Sequence, residues 1–295
     1  MNKLKHIGVW VLALFITLVA SVYQKTTGPT YPKKVKVEFS DTTYQFKLIR
    51  SQEIGTPCSV NVDVNGDKLE GTIFYKRLGV NEAWTEVSMQ NQRINEKAFW
   101  GEGDEKLVLS AILPEQPEAG KIQYFIQLTK NKEVQFVEKE QPVVIRFKGA
   151  VPLFVLIPHI FFMFSAMLLA SASAIYFLIK NYDKAKNFGT RSFGALLFGG
   201  MILGPIVQKF AFSEYWTGIP FGWDLTDNKT LIAFVASAIA VGVNWKNNKK
   251  PILFLFATIV LYIIFTIPHS AFGSEFNYDT GEVVQGVVLP IISVF

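Results

Sequence analysis

The chain has 295 residues, enough for two folded units, and its 29 Lys+Arg against 24 Asp+Glu leave a formal net charge of +5. Hydrophobic residues reach 50% and aromatics 14%, concentrated in the first 22 residues and after residue 150, which is the distribution of a membrane protein with a polar insert. The lysine excess flanks the hydrophobic runs and no RRM, zinc-finger or Arg-rich pattern is present, so nucleic acid is not an expected partner; the single cysteine, Cys58, excludes an intrachain disulfide, CxxC zinc sites, CxxCH haem attachment and cysteine-ligated iron–sulfur clusters.

In chain order, Lys3 and Lys5 precede an apolar run at 7–22, so residues 1–23 read as a signal anchor or signal peptide. The run is long for a cleaved signal, and its length favours a retained anchor. Residues 24–34 (QKTTGPTYPKK) form a Gly/Pro-containing linker.

Residues 35–148 change character. Seven short runs, at 35–39, 43–49, 59–64, 71–76, 107–113, 122–128 and 143–147, are rich in Val, Ile, Phe, Tyr and Thr. Val60, Val62 and Val64 alternate with Ser59, Asn61 and Asp63; Ile122, Tyr124, Ile126 and Leu128 alternate with Gln123, Phe125 and Gln127. Period-two patterns of this kind predict strands with one buried face. The sequence 63–70 (DVNGDKLE) has the composition of a calcium loop, but its glycine sits at position four and strands flank it, so a hairpin turn is expected. Cys58, beside Pro57 at a strand start, reads as a buried, inert thiol.

Residues 117–124 (PEAGKIQY) look like the turn-then-strand approach to a tyrosine corner, and 35–148 as a whole resembles the immunoglobulin/fibronectin type III class. The resemblance is one of fold alone. It implies an antiparallel β-sandwich whose loops and edges carry function, and it assigns no activity.

Residues 151–179 contain no formal charge and are long enough to cross a bilayer core, which takes roughly 20 helical residues. Further apolar runs follow at 193–212, 231–245 and 251–267. Gly199-Gly200 and Gly204-Pro205 interrupt the first of these and suggest a small-residue packing face; Asp227 or Asn228 is a suitable N-cap for the second. The expected fold is therefore an N-terminal anchor helix, an exported all-β sandwich at 35–148, a four-helix transmembrane bundle at 151–269 and an outer tail at 270–295. Lys3 and Lys5, then Lys180, Lys184, Lys186 and Arg191, then Lys246, Lys249 and Lys250, all fall on one side if the runs alternate. By the positive-inside rule that side is the cytoplasm, in the simplest case of a bacterial inner membrane with the sandwich and C-terminus in the periplasm.

The polar residues of the membrane half gather toward its outer end: His159, Gln208, Lys209, Asp224, Asp227 and His269. Ionisable groups at membrane depth face a partner or a cavity. Ile-Pro-His occurs at 157–159 and again at 267–269, on runs that neighbour each other in an up-down bundle, so the two imidazoles are candidate ligands of haem b or a metal. The competing expectation is that both histidines sit at the water–lipid interface and hydrogen-bond to the loop or to backbone, the preceding proline leaving carbonyls free for such bonds. The outer loop carries Trp216 and Trp223 beside Asp224 and Asp227, and reads equally as a docking surface or as an aromatic belt. No nucleophile elbow, Walker A, HExxH or dinucleotide fingerprint occurs. The function expected is a non-enzymatic subunit or accessory factor of an envelope complex, with other envelope proteins as partners. The alternative is a membrane redox or metal protein built on His159 and His269.

Overall fold

A computed structural model of the chain describes residues 3–64, 68–95, 105–246, 250–268 and 274–284. The backbone divides into a helical unit, Met1–Pro29 with Ala150–Ser274 and Val284–Phe295, and a β-unit, Thr30–Gly149 with Glu275–Val283.

In the β-unit all seven runs form strands: β1 (Lys33–Glu38), β2 (Thr43–Leu48), β4 (Cys58–Asp63), β5 (Glu70–Arg77), β8 (Glu105–Leu113), β9 (Lys121–Lys130) and β11 (Val143–Lys148). Four more polar strands join them at edges: β3 (Ser51–Glu53), β6 (Thr85–Ser88), β7 (Gln90–Asn95) and β10 (Glu133–Val137). β1 and β2 make a two-stranded sheet, β4-β8-β7 a three-stranded one, and β3-β11-β9-β5-β6 a larger one in which β10 also pairs with β9. β9 is long enough to pair with β5 along its whole length on one edge, while β11 and β10 share the other. β4 and β5 lie in different sheets, so residues 63–70 cross between sheets instead of closing a hairpin; residues 65–67 themselves lie outside the described residues.

One buried cluster takes the inward residues of all three sheets, among them Tyr44, Val60, Val62, Ile73, Leu109, Ile122, Tyr124, Ile126, Leu128 and Phe147. Alternation along β4 and β9 supplies this face, because successive strand residues point to opposite sides. The Tyr124 ring is wholly buried and its hydroxyl donates to the Ile49 carbonyl at 3.1 Å, 75 residues earlier in the chain. A tyrosine corner reaches a carbonyl only a few residues upstream, so this tyrosine ties two distant strands together and does not make that corner.

The segment Glu275–Val283 belongs to the β-unit, and the short strands β12 (Glu275–Asn277) and β13 (Glu282–Val284) pair with each other. Phe276 N–H donates to Ala119 O at 3.2 Å, the Tyr278 hydroxyl to Gln116 Oε1 at 2.9 Å, and Lys121 Nζ lies 3.3 Å from Glu275. Burial pulls the Lys121 ammonium below its ordinary pKa, and Glu275 acts against that shift.

The helical unit contains α1 (Lys3–Thr27), α2 (Leu153–Leu178), α3 (Tyr182–Leu196), α4 (Gly204–Phe212), α5 (Leu225–Val243) and α6 (Ile252–Thr266). A π-helical segment, Leu197–Leu203, joins α3 to α4, so Tyr182–Phe212 runs as one span. The glycines and Pro205 therefore do not break this helix. Proline lacks the N–H that an α-turn needs, and the wider π-turn absorbs the mismatch. α1, α2, this continuous span and α5 are each long and apolar enough to cross a membrane. α6, expected as the fourth bundle span, has 15 residues, about 22 Å of helix against a core of about 30 Å. Pro251 begins it and Pro268 follows it, and the residue before a proline leaves the α region, as Ile267 does.

Small residues let the helices approach. Ala166, Ala170, Ser171, Ala172, Ser173 and Ala174 are buried around α2, where α1, α3 and α6 pack, and α3 brings Ala185, Gly189, Ser192 and Ala195 to the contact. At Gly199 a side chain would lie 2.9 Å from Phe162 Cβ and 3.1 Å from the backbone of Met163, which fixes the contact between the π-segment and α2.

Burial pushes the Cys58 thiol up to about 12. At pH 8 only about one thiol in ten thousand is then ionised. Maleimide mass-shift labelling at pH 8 should leave the folded protein unmodified and add one label per chain after denaturation; labelling of the folded protein would contradict this burial.

Candidate functional site

The sequence points to the outer end of the helical unit, and there α5 begins six residues earlier than the apolar run. Its N-cap is Asp224, whose Oδ1 accepts from Thr226 N–H at 2.7 Å and Asp227 N–H at 3.4 Å. Asp227 and Asn228, the two residues expected to cap this helix, lie in its first turn and face the loop instead. Asp227 Oδ2 accepts from Thr217 N–H at 2.6 Å, Thr217 Oγ1 at 3.1 Å and Gln208 Nε2 at 3.1 Å. Asn228 Oδ1 accepts from Ile219 N–H at 2.7 Å. Gly218 sits between them because any side chain there would meet Asp227 Cβ at 2.7 Å. Asp224 uses its second oxygen, Oδ2, on the backbone and hydroxyl of Ser274.

Asp224 and Asp227 are each only 5% exposed; Asp224 accepts on both oxygens, and Asp227 takes three donors on Oδ2. Lys229, 2% exposed, donates from Nζ to Ile267 O at 2.8 Å, at the C-terminal end of α6, where the helix dipole favours a cation.

Lys209 lies on the other side of the loop, donating to Ser213 O at 2.6 Å with its ammonium 5.4 Å from the Tyr215 ring. Trp216 Nε1 donates to Ile219 O at 3.1 Å, whereas Trp223 is 78% exposed.

Gln208 and Asp227 meet at the loop through Thr217, and Asn228, Lys229 and Ser274 lie in the same region. Thr217 and Ser274 carry no signal in a linear reading, since their partners lie far along the chain. Lys229 could have been found as the one cation in the first two turns of an otherwise apolar helix.

His159 makes a separate contact. Its Nδ1 donates to Gly199 O at 2.9 Å, the same carbonyl that accepts the π-turn bond from Gly204 N–H. It therefore hydrogen-bonds to backbone on a neighbouring helix, not to a carbonyl in its own preceding turn. α2 and α6 are neighbours, as the bundle argument requires. His269, the proposed second ligand, lies outside the described residues. Among the described residues no group of three or more His, Cys, Asp or Glu side chains is placed to hold a metal ion.

No protein-family model matches the chain, and comparison with characterised proteins finds no relative. Chemically, the arrangement is a clamp: one carboxylate, Asp227, and one amide, Asn228, hold a twelve-residue loop by its backbone, while Asp224 caps α5 and holds Ser274.

Replacing Asp227 with alanine would leave a backbone N–H, a hydroxyl and an amide without their acceptor, at a cost of about 2–4 kcal/mol. Thermal unfolding in detergent should register this loss, with faster proteolysis inside 213–224. Asp227→Asn, which keeps an acceptor oxygen, should lose less, and Lys209→Ala should stay within about 0.5 kcal/mol of the parent.

Proposed function

We propose that this protein is a non-catalytic component of a bacterial envelope complex, held in the cytoplasmic membrane by its helices and presenting an exported, immunoglobulin-like β-sandwich to another protein. One observation carries the reading: the outward face of the largest sheet bears a continuous aromatic row. Phe74 of β5 lies opposite Phe125 of β9, the rings stacked 4.8 Å apart. Trp84 meets Phe125 edge-on at 4.9 Å, and Phe136 of β10 closes the row at 6.4 Å. Inward positions of the same strands already fill the core, so this is a second apolar surface. Val134 and Phe136 remain 44% and 47% exposed. Phe125, at the centre of the row, is itself buried beneath its neighbours, so the part open to a partner is the Val134/Phe136 edge, and exposed apolar and aromatic side chains of this kind anchor protein interfaces.

The basic residues at the α1 start, the α2–α3 junction and the α5–α6 junction support the orientation, with the β-unit and the loop at 213–224 on the far side of the bilayer. The covalent path fits this orientation when the short α6 crosses together with its flanking residues: the chain leaves the helical unit for the β-unit after α1, returns before α2, and joins the β-unit again after α6.

Purification in mild detergent should recover a second protein in stoichiometric amount. A Val134→Glu/Phe136→Glu double variant should lose it while keeping the parent's circular dichroism and melting temperature. The parent chain recovered alone would overturn the proposal.

A second reading, a haem b or metal site shared by His159 and His269, draws on the bond from His159 Nδ1 to Gly199 O. Histidine ligands commonly donate one ring N–H to a carbonyl and coordinate through the other nitrogen. The absorption spectrum decides it: a Soret band or bound metal that disappears in His159→Ala establishes this reading, and a colourless, metal-free protein removes it.

A further inference from the structure

The clamped loop has two sides, and only one is accounted for by Asp227 and Asn228. The other presents Tyr215 (58% exposed), Ile219 (45%), Phe221 (80%) and Trp223 (78%). The backbone turns tightly beneath them, with Phe221 and Gly222 N–H groups both donating to Gly218 O at 2.9 Å. These four side chains crown a rigid turn and leave the carboxylates behind them.

We propose that this face is an anchor in the bilayer interface, with Phe221 and Trp223 seated at the boundary between lipid headgroups and acyl chains. The assignment rests on the membrane reading given above and adds a named lipid contact to it. Two observations choose lipid over a protein partner. First, the surface is continuous with the apolar exterior of the spans: Phe212 ends one and Leu225 begins the next, so all twelve loop residues lie within reach of the membrane surface, and the exposed Phe210 and Ile232 prolong the same apolar exterior along α4 and α5. Secondly, the chemistry is that of the interface. Trp and Tyr concentrate at headgroup level, and Lys209, next to Tyr215, can extend its ammonium toward lipid phosphates. Because the clamp fixes the loop, seating the rings orders little additional chain.

The buried Cys58 allows the test to use single added cysteines. Phe221→Cys, Trp223→Cys and, as a control, Val235→Cys on the exposed side of α5 (46% exposed) are each labelled with bimane and reconstituted into phosphatidylcholine/phosphatidylglycerol vesicles. The expected result is blue-shifted emission at 221 and 223, lost to lipids brominated near the headgroup and insensitive to iodide, with the label at 235 lost to lipids brominated deep in the chain. Emission at 221 and 223 quenched by iodide and untouched by lipid, with 235 quenched by lipid, would overturn the anchor and leave the membrane reading standing. Emission at 221 and 223 insensitive to both quenchers would equally overturn it, since the rings would then be covered by protein. A label at 235 that no lipid quenches would overturn the membrane reading itself.

Discussion

A bilayer core offers no hydrogen-bond partner, so each polar group among these helices must be satisfied by the chain itself. The helical unit meets that constraint mainly through hydroxyls. Ser173 donates to Ala185 O at 2.6 Å, Ser192 to Ala166 O at 2.8 Å and Thr258 to Ala170 O at 3.1 Å, each joining one helix to another. Their carbonyl partners are reachable only because alanine and glycine line the contacts. Small residues and hydroxyls therefore act as one device: the former bring backbones close, and the latter make closeness specific. The π-segment belongs to the same logic. Its irregular turn exposes the Gly199 carbonyl, and His159 supplies the donor that occupies it.

At the ends of the spans the constraint changes form, because a loop carries many backbone donors and few regular acceptors. Asp227 and Asn228 answer for Thr217 and Ile219, and Asp224 serves both the first turn of α5 and Ser274. Carboxylates bonded in this way to N–H and O–H groups of their own chain serve as fasteners. A general acid or base needs a lone pair or proton open to a substrate, and Asp224 has both oxygens engaged.

The legible parts of the fold are those where burial leaves a pattern. The alternating residues of β4 and β9 announce strands because one face of each lies in the core. β3, β6, β7 and β10 stay hidden because they are edge strands with little to bury: five of the six residues of β7 are exposed. The same limit explains the error at 63–70, where turn composition identifies a reversal but not which strands it connects. In the helical unit, long apolar runs mark the spans, whereas their ends depend on tertiary partners. Asp224 precedes an apolar run by several polar residues, and only the loop folded back on Thr217 and Ile219 makes it the cap. For the candidate site, residue types could be read, but not the pairing, which depends on contacts nine to fifty residues apart.

The same device of small residues and hydroxyls reaches α1. Val9, Ala13 and Thr17 are buried on one face, spaced by four residues as a helix contact requires. Trp10 packs edge-on to Phe188 at 5.1 Å, and the Tyr176 hydroxyl meets His6 Nδ1. Thr17 Oγ1 lies 3.4 Å from the Tyr262 hydroxyl, which also bonds Ser171, so three helices share one polar chain inside the apolar unit. Removing α1 would uncover the alanine-lined groove on α2 and deprive Tyr262 and Tyr176 of partners where water cannot replace them. Hydroxyl bonds thus tie α1 to α2 and α6 in the way that they tie α2, α3 and α6 to one another.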